Sequence, residues 1–148
     1  MQIDYLIFNS LPDALLLESI IELHKEIFGA SNDLSYKMTN KPGLLVITAM
    51  NGAKVIGYKI GYALANDKFY SWLGGVDTNF REFGVGSTLM EKQHQYLKKE
   101  GFSVVQTKTM NRWRSMLVLN IKNGFDVIDT YTDEKGLHKI ILEKCLLN

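Results

Sequence analysis

Residues 75–89, GVDTNFREFGVGSTL, join the end of an apolar stretch to the beginning of a helical pattern. The first turn of a helix has backbone N–H groups without intrahelical partners and the positive end of the helix dipole, so it attracts anions. Gly84 and Gly86 carry no side chain where a phosphate would approach the backbone, and Arg81 adds a positive charge with forked donors. The stretch therefore predicts a phosphate-binding turn between a strand and a helix.

Two common phosphate-binding patterns do not match this turn. A nucleotide-triphosphate loop needs a lysine directly after its second glycine, and Ser87 stands there. The dinucleotide fingerprint needs a third glycine where this chain has Leu89, and it follows a βαβ opening that the preceding sequence lacks. Two readings stay open from these residues alone: a tight turn that binds no ligand, and a different nucleotide-binding domain.

The hydrophobic pattern outward from the turn predicts the order of the elements. Residues 84–100 place Val85 and Leu89 on one helical face, and Asn51-Gly52 between two apolar runs predicts a hairpin whose central residues both have positive φ. The other predicted elements are strand 2–8, helix 12–28, a short helix 34–38, strands 44–50, 53–65, 69–76 and 102–109, helix 112–123, and strands 125–131 and 137–144. This order predicts one domain of the α/β or α+β class, with helices packed on a mixed sheet.

Composition is typical of a single domain with a core of its own. The chain has 148 residues, of which 46% are hydrophobic and 22% charged, enough to bury a sizeable core. The net charge of +1 gives no indication that the chain binds nucleic acid or a membrane surface. Cys145 is the only cysteine, which excludes a disulfide framework and a multi-cysteine metal site. No signal peptide or spanning segment is evident, so we expect a cytoplasmic protein without a metal.

Residues 76–90 resemble the acetyl-CoA-binding motif of the GCN5-related N-acetyltransferase (GNAT) superfamily. That motif has a strand ending in Val-x-Pro, an aromatic residue, Arg/Gln-x-x-Gly-x-Gly/Ala, and a helix with leucine three positions later. The matching positions in this sequence are Val76, Phe80, Arg81, Gly84, Gly86 and Leu89. The sequence departs from the motif at Thr78, where proline is frequent, and at Glu82, where glycine is frequent.

A second segment resembles the same superfamily. Asn111 follows a predicted strand, and the helical stretch 116–123 ends in Gly124-Phe125, as in the later motif of the superfamily. The resemblance covers the chain from about residue 44 to its end, and it fits the first helix loosely. It implies a mixed, mostly antiparallel sheet of about seven strands with about four helices on its faces. The implied order is β-α-(α)-β-β-β-α-β-α-β-β.

The resemblance also implies acetyl-CoA as cosubstrate. In this superfamily the strands on either side of the turn splay apart, and the pantetheine arm pairs with strand backbone in the gap. On that basis, the residues expected to contact acetyl-CoA are Val76, Thr78, Arg81, Phe83, Gly84, Val85, Gly86, Ser87, Thr88, Asn111 and Asn120. Asn111 has a second interpretation, as the N-cap of helix 112–123.

The implied reaction is direct attack of a neutral amine on the thioester, without a covalent enzyme intermediate. Many members carry a tyrosine four residues before the Gly-Phe glycine, where it protonates the departing thiolate. Asn120 occupies that place here, and an amide donates a hydrogen bond but is no acid. Tyr131 is an alternative acid, and Glu26 is a candidate base beside Glu22 and Asp77. The predicted catalytic residues are Asn120, Tyr131 and Glu26.

The predicted function is an acetyl-CoA-dependent N-acetyltransferase acting on a primary amine of a small molecule or peptide, as a monomer or homodimer. The alternative is a non-catalytic acyl-CoA-binding sensor or interaction module, because the tyrosine is missing and strand 69–76 has no carboxylate near its centre. The histidines lack metal-ligand spacing and are predicted to serve packing or surface roles; they are His24, His94 and His138. Tyr58, Tyr62 and Trp72 are assigned to an acceptor pocket or, alternatively, to the core.

Overall fold

The computed structural model describes residues 2–29 and 33–147. Its elements are β1 (Asp4–Phe8), α1 (Ala14–Phe28), α2 (Leu34–Thr39), β2 (Leu45–Asn51), β3 (Lys54–Ala63), β4 (Lys68–Val76), a 3-10 helix (Thr78–Phe83), α3 (Val85–Lys99), β5 (Val104–Thr109), α4 (Arg114–Lys122), β6 (Asp126–Thr132) and β7 (His138–Cys145). Within the described residues, the strands form one seven-stranded sheet in the order β1-β2-β3-β4-β5-β7-β6. Every neighbouring pair is antiparallel except β4 and β5. The predicted fold class is therefore confirmed.

Local sequence explains where α1 begins and where the β2–β3 hairpin turns. Asp13 Oδ1 accepts a hydrogen bond from Leu16 N at 3.0 Å, so this carboxylate caps α1. The predicted hairpin is present, with Asn51 paired to Lys54. The expectation of positive φ at both Asn51 and Gly52 is wrong, because only Gly52 has it, at 62°. The two-residue turn starts at this glycine rather than at the asparagine, and a glycine in first place suits the twist of the strands.

Helices cover both faces of the sheet, and each face has its own buried cluster. Residues alternate between the faces along each strand, which is why consecutive apolar residues in β2 serve different clusters. The α1 side holds Leu17, Ile20, Leu23, Leu34, Met38, Leu44, Val46, Met50, Val55, Tyr58 and Ile60. The α3 side holds Leu45, Ile47, Ala49, Ile56, Phe69, Val85, Leu89, Met90, Leu97, Val105, Phe125, Ile140, Leu142 and Leu146.

β3 presents Gly57 to α3. A Cβ atom built on Gly57 would lie 2.8 Å from Val85 Cγ1 and 3.3 Å from Leu89 Cδ1. A larger residue at position 57 would therefore push the helix away from the sheet. At this point of β3, α3 rests on Gly57.

β4 and β5 part halfway along β4. Their parallel pairing joins Lys68–Ser71 to Val104–Thr107 and ends there, where Thr107 Oγ1 donates to the Ser71 carbonyl oxygen at 3.0 Å. At the same point β4 has a bulge, because Ser71 pairs with Gly61 and Leu73 with Ile60, which leaves Trp72 as the extra residue. A bulge bends its strand and increases the local twist. Beyond it, Trp72–Val76 is bonded to β3 alone, and we call the opening beside this segment the β4–β5 gap.

Two properties of the described chain bear on function. None of the helices in residues 2–29 and 33–147 is both long and apolar enough to cross a membrane. Over the same ranges, no three His, Cys, Asp or Glu side chains come together as metal ligands would.

Candidate functional site

The predicted phosphate-binding turn begins as a short 3-10 helix, an element that the hydrophobic pattern does not indicate. Asp77 starts it: one of its carboxylate oxygens accepts from Asn79 N at 2.9 Å, and its backbone oxygen accepts from Phe80 N at 2.8 Å. Lys54 Nζ lies 3.5 Å from the second carboxylate oxygen of this buried residue. Asp77 is therefore occupied in shaping the turn, which argues against its use as a base.

Gly84 joins the 3-10 helix to α3 in a left-handed conformation, with φ at 70°. This conformation is one that glycine adopts without strain. Thr88 donates both its backbone N–H, at 3.0 Å, and its hydroxyl, at 2.9 Å, to the Gly84 carbonyl oxygen. The N–H groups that a helix leaves unpaired are thus those of the preceding residues, Val85, Gly86 and Ser87.

Packing does not require a glycine at position 86. A Cβ atom at this position would lie 3.5 Å from Leu119 Cδ2 and 3.9 Å from Val76 Cγ2, both ordinary contact distances. Packing therefore accepts alanine here, and the glycine instead keeps the backbone open at the helix start. Arg81 is exposed beside it, with Nε 3.5 Å from the Val76 carbonyl oxygen.

The β4–β5 gap begins next to this turn and contains two consecutive glycines, Gly74 and Gly75. A cavity of about 20 Å³ lies there, lined by Tyr58, Lys59, Gly74, Gly75, Val76, Gly86, Leu89, Met116 and Leu119. The cavity therefore connects the glycine of the phosphate-binding turn with the glycines of β4 and with α4.

On the α3 side of β4, the gap holds a buried lysine. Lys59 pairs with Gly74 across β3 and β4 and is 8% exposed. A Cβ atom on Gly74 would lie 3.8 Å from Lys59 Nζ, so the absence of a side chain there makes room for the ammonium group. Burial lowers the pKa of Lys59 to about 8. The three salt bridges among the described residues do not include it.

On the α1 side of β4, the same segment faces a histidine–tyrosine pair. His24 Nδ1 and the Tyr58 hydroxyl oxygen are 2.5 Å apart. A Cβ atom on Gly75 would lie 3.3 Å from that hydroxyl oxygen and 2.7 Å from Ile27 Cδ1. Burial lowers the pKa of His24 and raises that of Tyr58. The ring of His24 is therefore neutral at pH 7, and Gly75 has no side chain between this pair and the gap.

The three residues predicted to be catalytic do not lie together. Asn120 is buried, and no hydrogen-bond partner for its Nδ2 occurs in the described part of the chain. Tyr131 lies on the edge strand β6, with Lys108 Nζ 5.5 Å from the centre of its ring. Glu26 is exposed on α1. Asn111 does not cap α4, because the N-cap position belongs to Trp113.

A second, larger groove lies between α4 and the β6–β7 pair. Its volume is about 450 Å³, and its lining consists of Asn111, Leu117, Val118, Ile121, Lys122, Val127, Thr130 and Ile140. It shares only Asn111 with the residues predicted to contact acetyl-CoA. Met116 and Leu119 of α4 face the cavity at the gap instead. Asn111 lines this groove and is not among the residues that line the cavity containing Gly86.

The aromatic residues predicted for an acceptor pocket divide into two groups. Tyr58 is fully buried in the core. Tyr62 and Trp72 are partly exposed, with ring centres 5.7 Å apart, and Lys41 Nζ lies 4.6 Å from the Tyr62 centre and 5.0 Å from that of Trp72. These two rings form a partly open surface on the α1 side of the sheet, near the start of the β4–β5 gap.

The architecture is shared with solved acetyltransferases. Ribosomal-protein-S18-alanine N-acetyltransferase from Escherichia coli superposes with a TM-score of 0.81 at 17% identity, over 98% of this chain and 96% of that one. A GNAT-family acetyltransferase from Staphylococcus aureus Mu50 gives 0.83 at 18% identity, over 99% and 100%. Aminoglycoside 6'-N-acetyltransferase in complex with coenzyme A gives 0.80 at 11%, over 100% and 98%.

At these identities the similarity is one of fold, and this chain has the GNAT fold. No protein-family model and no curated protein matches the sequence.

Proposed function

We propose that this chain, which has the GNAT fold, is an acetyl-CoA-dependent N-acetyltransferase that transfers the acetyl group to a primary amine. The observation that carries the proposal is the β4–β5 gap. It opens directly beside a helix N-terminus with a glycine that packing does not require. An anion bound at the helix start can thus extend an arm along the unpaired edge of β4, whose backbone groups in Trp72–Val76 lack a partner strand on that side.

The chain's own residues fit acetyl-CoA. The N–H groups of Val85, Gly86 and Ser87 would bind the pyrophosphate, and Arg81 would neutralise its charge. The other residues assigned to the cosubstrate are Val76, Thr78, Phe83, Gly84, Thr88, Asn111 and Asn120. Asn120 Nδ2, which is buried without a partner in the described residues, would gain an acceptor. When bound, acetyl-CoA supplies an acyl group activated as a thioester.

The amine attacks the thioester in its neutral form and loses one proton from nitrogen as the amide bond forms, so the chain must take up that proton. We assign this to His24, because it lies against Tyr58 at the gap whereas Glu26 points to solvent from the same helix. A ring that donates its Nδ1–H to the Tyr58 oxygen keeps Nε2 free to accept the proton. Tyr131 and Asn120 remain predictions as partners of the leaving group.

The proposal is tested first at the cosubstrate. Gly86→Glu should weaken acetyl-CoA binding by roughly 100-fold or more, since its carboxylate would occupy the anion site at the helix start. Gly86→Ala is the matched control, because its Cβ fits at ordinary contact distances and binding should stay within about tenfold. Isothermal titration with acetyl-CoA, CoA and ATP measures both. Tighter binding of ATP than of acetyl-CoA, or unchanged binding by folded Gly86→Glu, would contradict the proposal.

Turnover separates the enzyme from the alternative, a non-catalytic acyl-CoA-binding module. The observation that favours the module is Asn120 in the place of a tyrosine acid. Release of free CoA thiol is measured with acetyl-CoA and a broad panel of primary amines, including small metabolites and peptides. We expect release that depends on the amine. Acetyl-CoA binding without amine-dependent release on any member of the panel would assign the chain to the module.

A further inference from the structure

Lys59 is a buried charged residue that has no part in the proposed binding of acetyl-CoA or in the uptake of the proton. It is 8% exposed, and no carboxylate forms a salt bridge with it among the described residues. A lysine in a protein interior is costly unless it is paired or neutral, because its ammonium group loses its hydration. A residue buried at such a cost without a partner of its own is a candidate for contact with a ligand.

The location of Lys59 indicates which ligand it would contact. Its Nζ would be 3.8 Å from a Cβ atom on Gly74, in the part of β4 that has lost β5 as a neighbour. It lines the same cavity as Gly86. Gly74 lies further from the phosphate-binding turn than Val76, so an arm that starts at α3 and follows β4 reaches Lys59 with its distal end. In acetyl-CoA that end carries the thioester.

We propose that Lys59 contacts the sulfur of acetyl-CoA and donates the proton that the departing CoA thiolate takes up. This inference rests on the proposed function, and it supplies the acid that Asn120 does not provide.

The step balances in atoms and charge. The amine nitrogen forms a bond to the carbonyl carbon, and the carbon–sulfur bond breaks with its electron pair on sulfur. Lys59 Nζ–H gives its proton to that sulfur and becomes a neutral amine, while the proton lost by the attacking nitrogen passes to His24. Lys59 regains a proton from solvent, and His24 releases one, after CoA leaves. No oxidant, reductant or metal enters the step.

The surroundings of Lys59 suit a proton donor. Burial brings its pKa to about 8, close to the value of about 8.5 of an ordinary thiol, so transfer between the two is nearly balanced. Titratable groups near it include Tyr58 at the cavity, His94 on α3 and, beyond His94, Lys144 on β7. None of these is a carboxylate that would hold the ammonium away from sulfur.

The binding readout is the pKa of the thiol of bound CoA, measured by the ultraviolet absorbance of its thiolate across pH. An ammonium group beside sulfur should lower this pKa by about one unit or more relative to free CoA. In Lys59→Met it should return to the free value or above. Lys59→Arg keeps the charge but holds its proton, so the thiol pKa should stay low. The control Lys99→Met removes an exposed lysine of α3 and should change nothing.

Turnover is the second readout. Lys59→Met and Lys59→Arg should both lose roughly 100-fold in kcat, because general acid catalysis is removed, while the KM for acetyl-CoA changes little. A bound-thiol pKa equal in wild type and Lys59→Met, or a kcat that either folded variant retains, would overturn the inference and leave the proposed function standing. Failure of the wild type to bind acetyl-CoA would overturn the proposed function and this inference with it.

Discussion

Lys59 places a free-energy cost on the folded state. The unfolded chain holds the Lys59 proton up to its usual pKa of 10.5, whereas the native chain holds it only up to about 8. The native state is therefore destabilised below pH 8, and the cost disappears as the pH rises through 10.5. The difference between these two pKa values corresponds to about 3 kcal/mol.

We therefore predict that Lys59→Met raises the free energy of unfolding by about 3 kcal/mol at pH 7, because it removes a buried charge and keeps the length of the side chain. Urea unfolding at pH 7 and pH 10 measures the gain, which should shrink at the higher pH. Lys99→Met is the control, and the stability of this exposed-site variant should change by less than about 0.5 kcal/mol. A loss of stability in Lys59→Met would mean that the lysine has a structural role.

His24 and Glu26 compete for the role of proton acceptor on α1. If His24 is the base, His24→Gln should lower kcat/KM by roughly 100-fold, and Glu26→Gln should stay within about twofold of wild type. Burial lowers the pKa of His24, so the base stays neutral at pH 7 and wild-type kcat/KM should decline only below pH 6.5. Measuring kcat/KM across pH for wild type and the two variants decides which residue is the base. A larger loss in Glu26→Gln than in His24→Gln would assign this role to Glu26.

At the scale of the element, the two halves of β4 have different neighbours and different functions. Its first half pairs with β5 and so joins β1–β4 to β5–β7 in one sheet. Its second half is bonded to β3 alone. The bulge at Trp72 separates the halves, and it brings Gly61 of β3 close to the β4 backbone. A Cβ atom on Gly61 would be 2.4 Å from the Tyr70 carbonyl oxygen and 2.3 Å from Phe69 Cε2. Backbone atoms in a sheet cannot move aside cheaply.

Gly61→Ala should therefore destabilise the protein by about 1–3 kcal/mol, since the added methyl group forces the bulge to shift. Urea unfolding is the measurement. Gly86→Ala is the matched control, because its Cβ meets nothing closer than 3.5 Å and its stability should be unchanged or slightly raised. Equal stability of Gly61→Ala and wild type would contradict the prediction, because it would show that the bulge accommodates the methyl group without cost.

At the scale of the whole molecule, His94 couples stability to pH. It lies between α3 and β7, with Nδ1 3.3 Å from Lys144 Nζ and its ring 5.6 Å from that of Phe125. Burial, with the ammonium groups of Lys144 and Lys59, lowers the pKa of His94 to about 3. Below pH 6.5 the unfolded chain binds a proton here that the native chain does not, so stability falls as the pH falls.

We expect His94 alone to cost about 2 kcal/mol of unfolding free energy between pH 7 and pH 5. His94→Gln should remove that part of the pH dependence, whatever its stability at pH 7. His138→Gln, at an exposed site on β7, should keep the wild-type slope. Urea unfolding of the three proteins at both pH values gives the comparison, and equal slopes for wild type and His94→Gln would contradict the prediction.

The order of helices and strands could be predicted from the sequence because the helices carry apolar residues at helical spacing and the central strands are apolar runs between turn residues. The 3-10 helix at 78–83 could not, since it is held by Asp77, whose hydrogen bonds have no counterpart in the hydrophobic pattern. His24 follows Ile20 by one helical turn on the buried face of α1, and this spacing was a usable signal. Lys59 between Gly57 and Gly61 in an apolar strand was another.

The sequence by itself determined the helix start at Arg81–Gly86 that we predict to bind phosphate, because a helix N-terminus, two glycines and an arginine act within a few consecutive residues. The opposing placement of Lys59 and His24 about Gly74 and Gly75 was decided only by the tertiary structure. It depends on the register of β3 on β4, on the bulge, and on where α1 crosses the sheet. These contacts join residues far apart in the chain, and no local pattern encodes their distances.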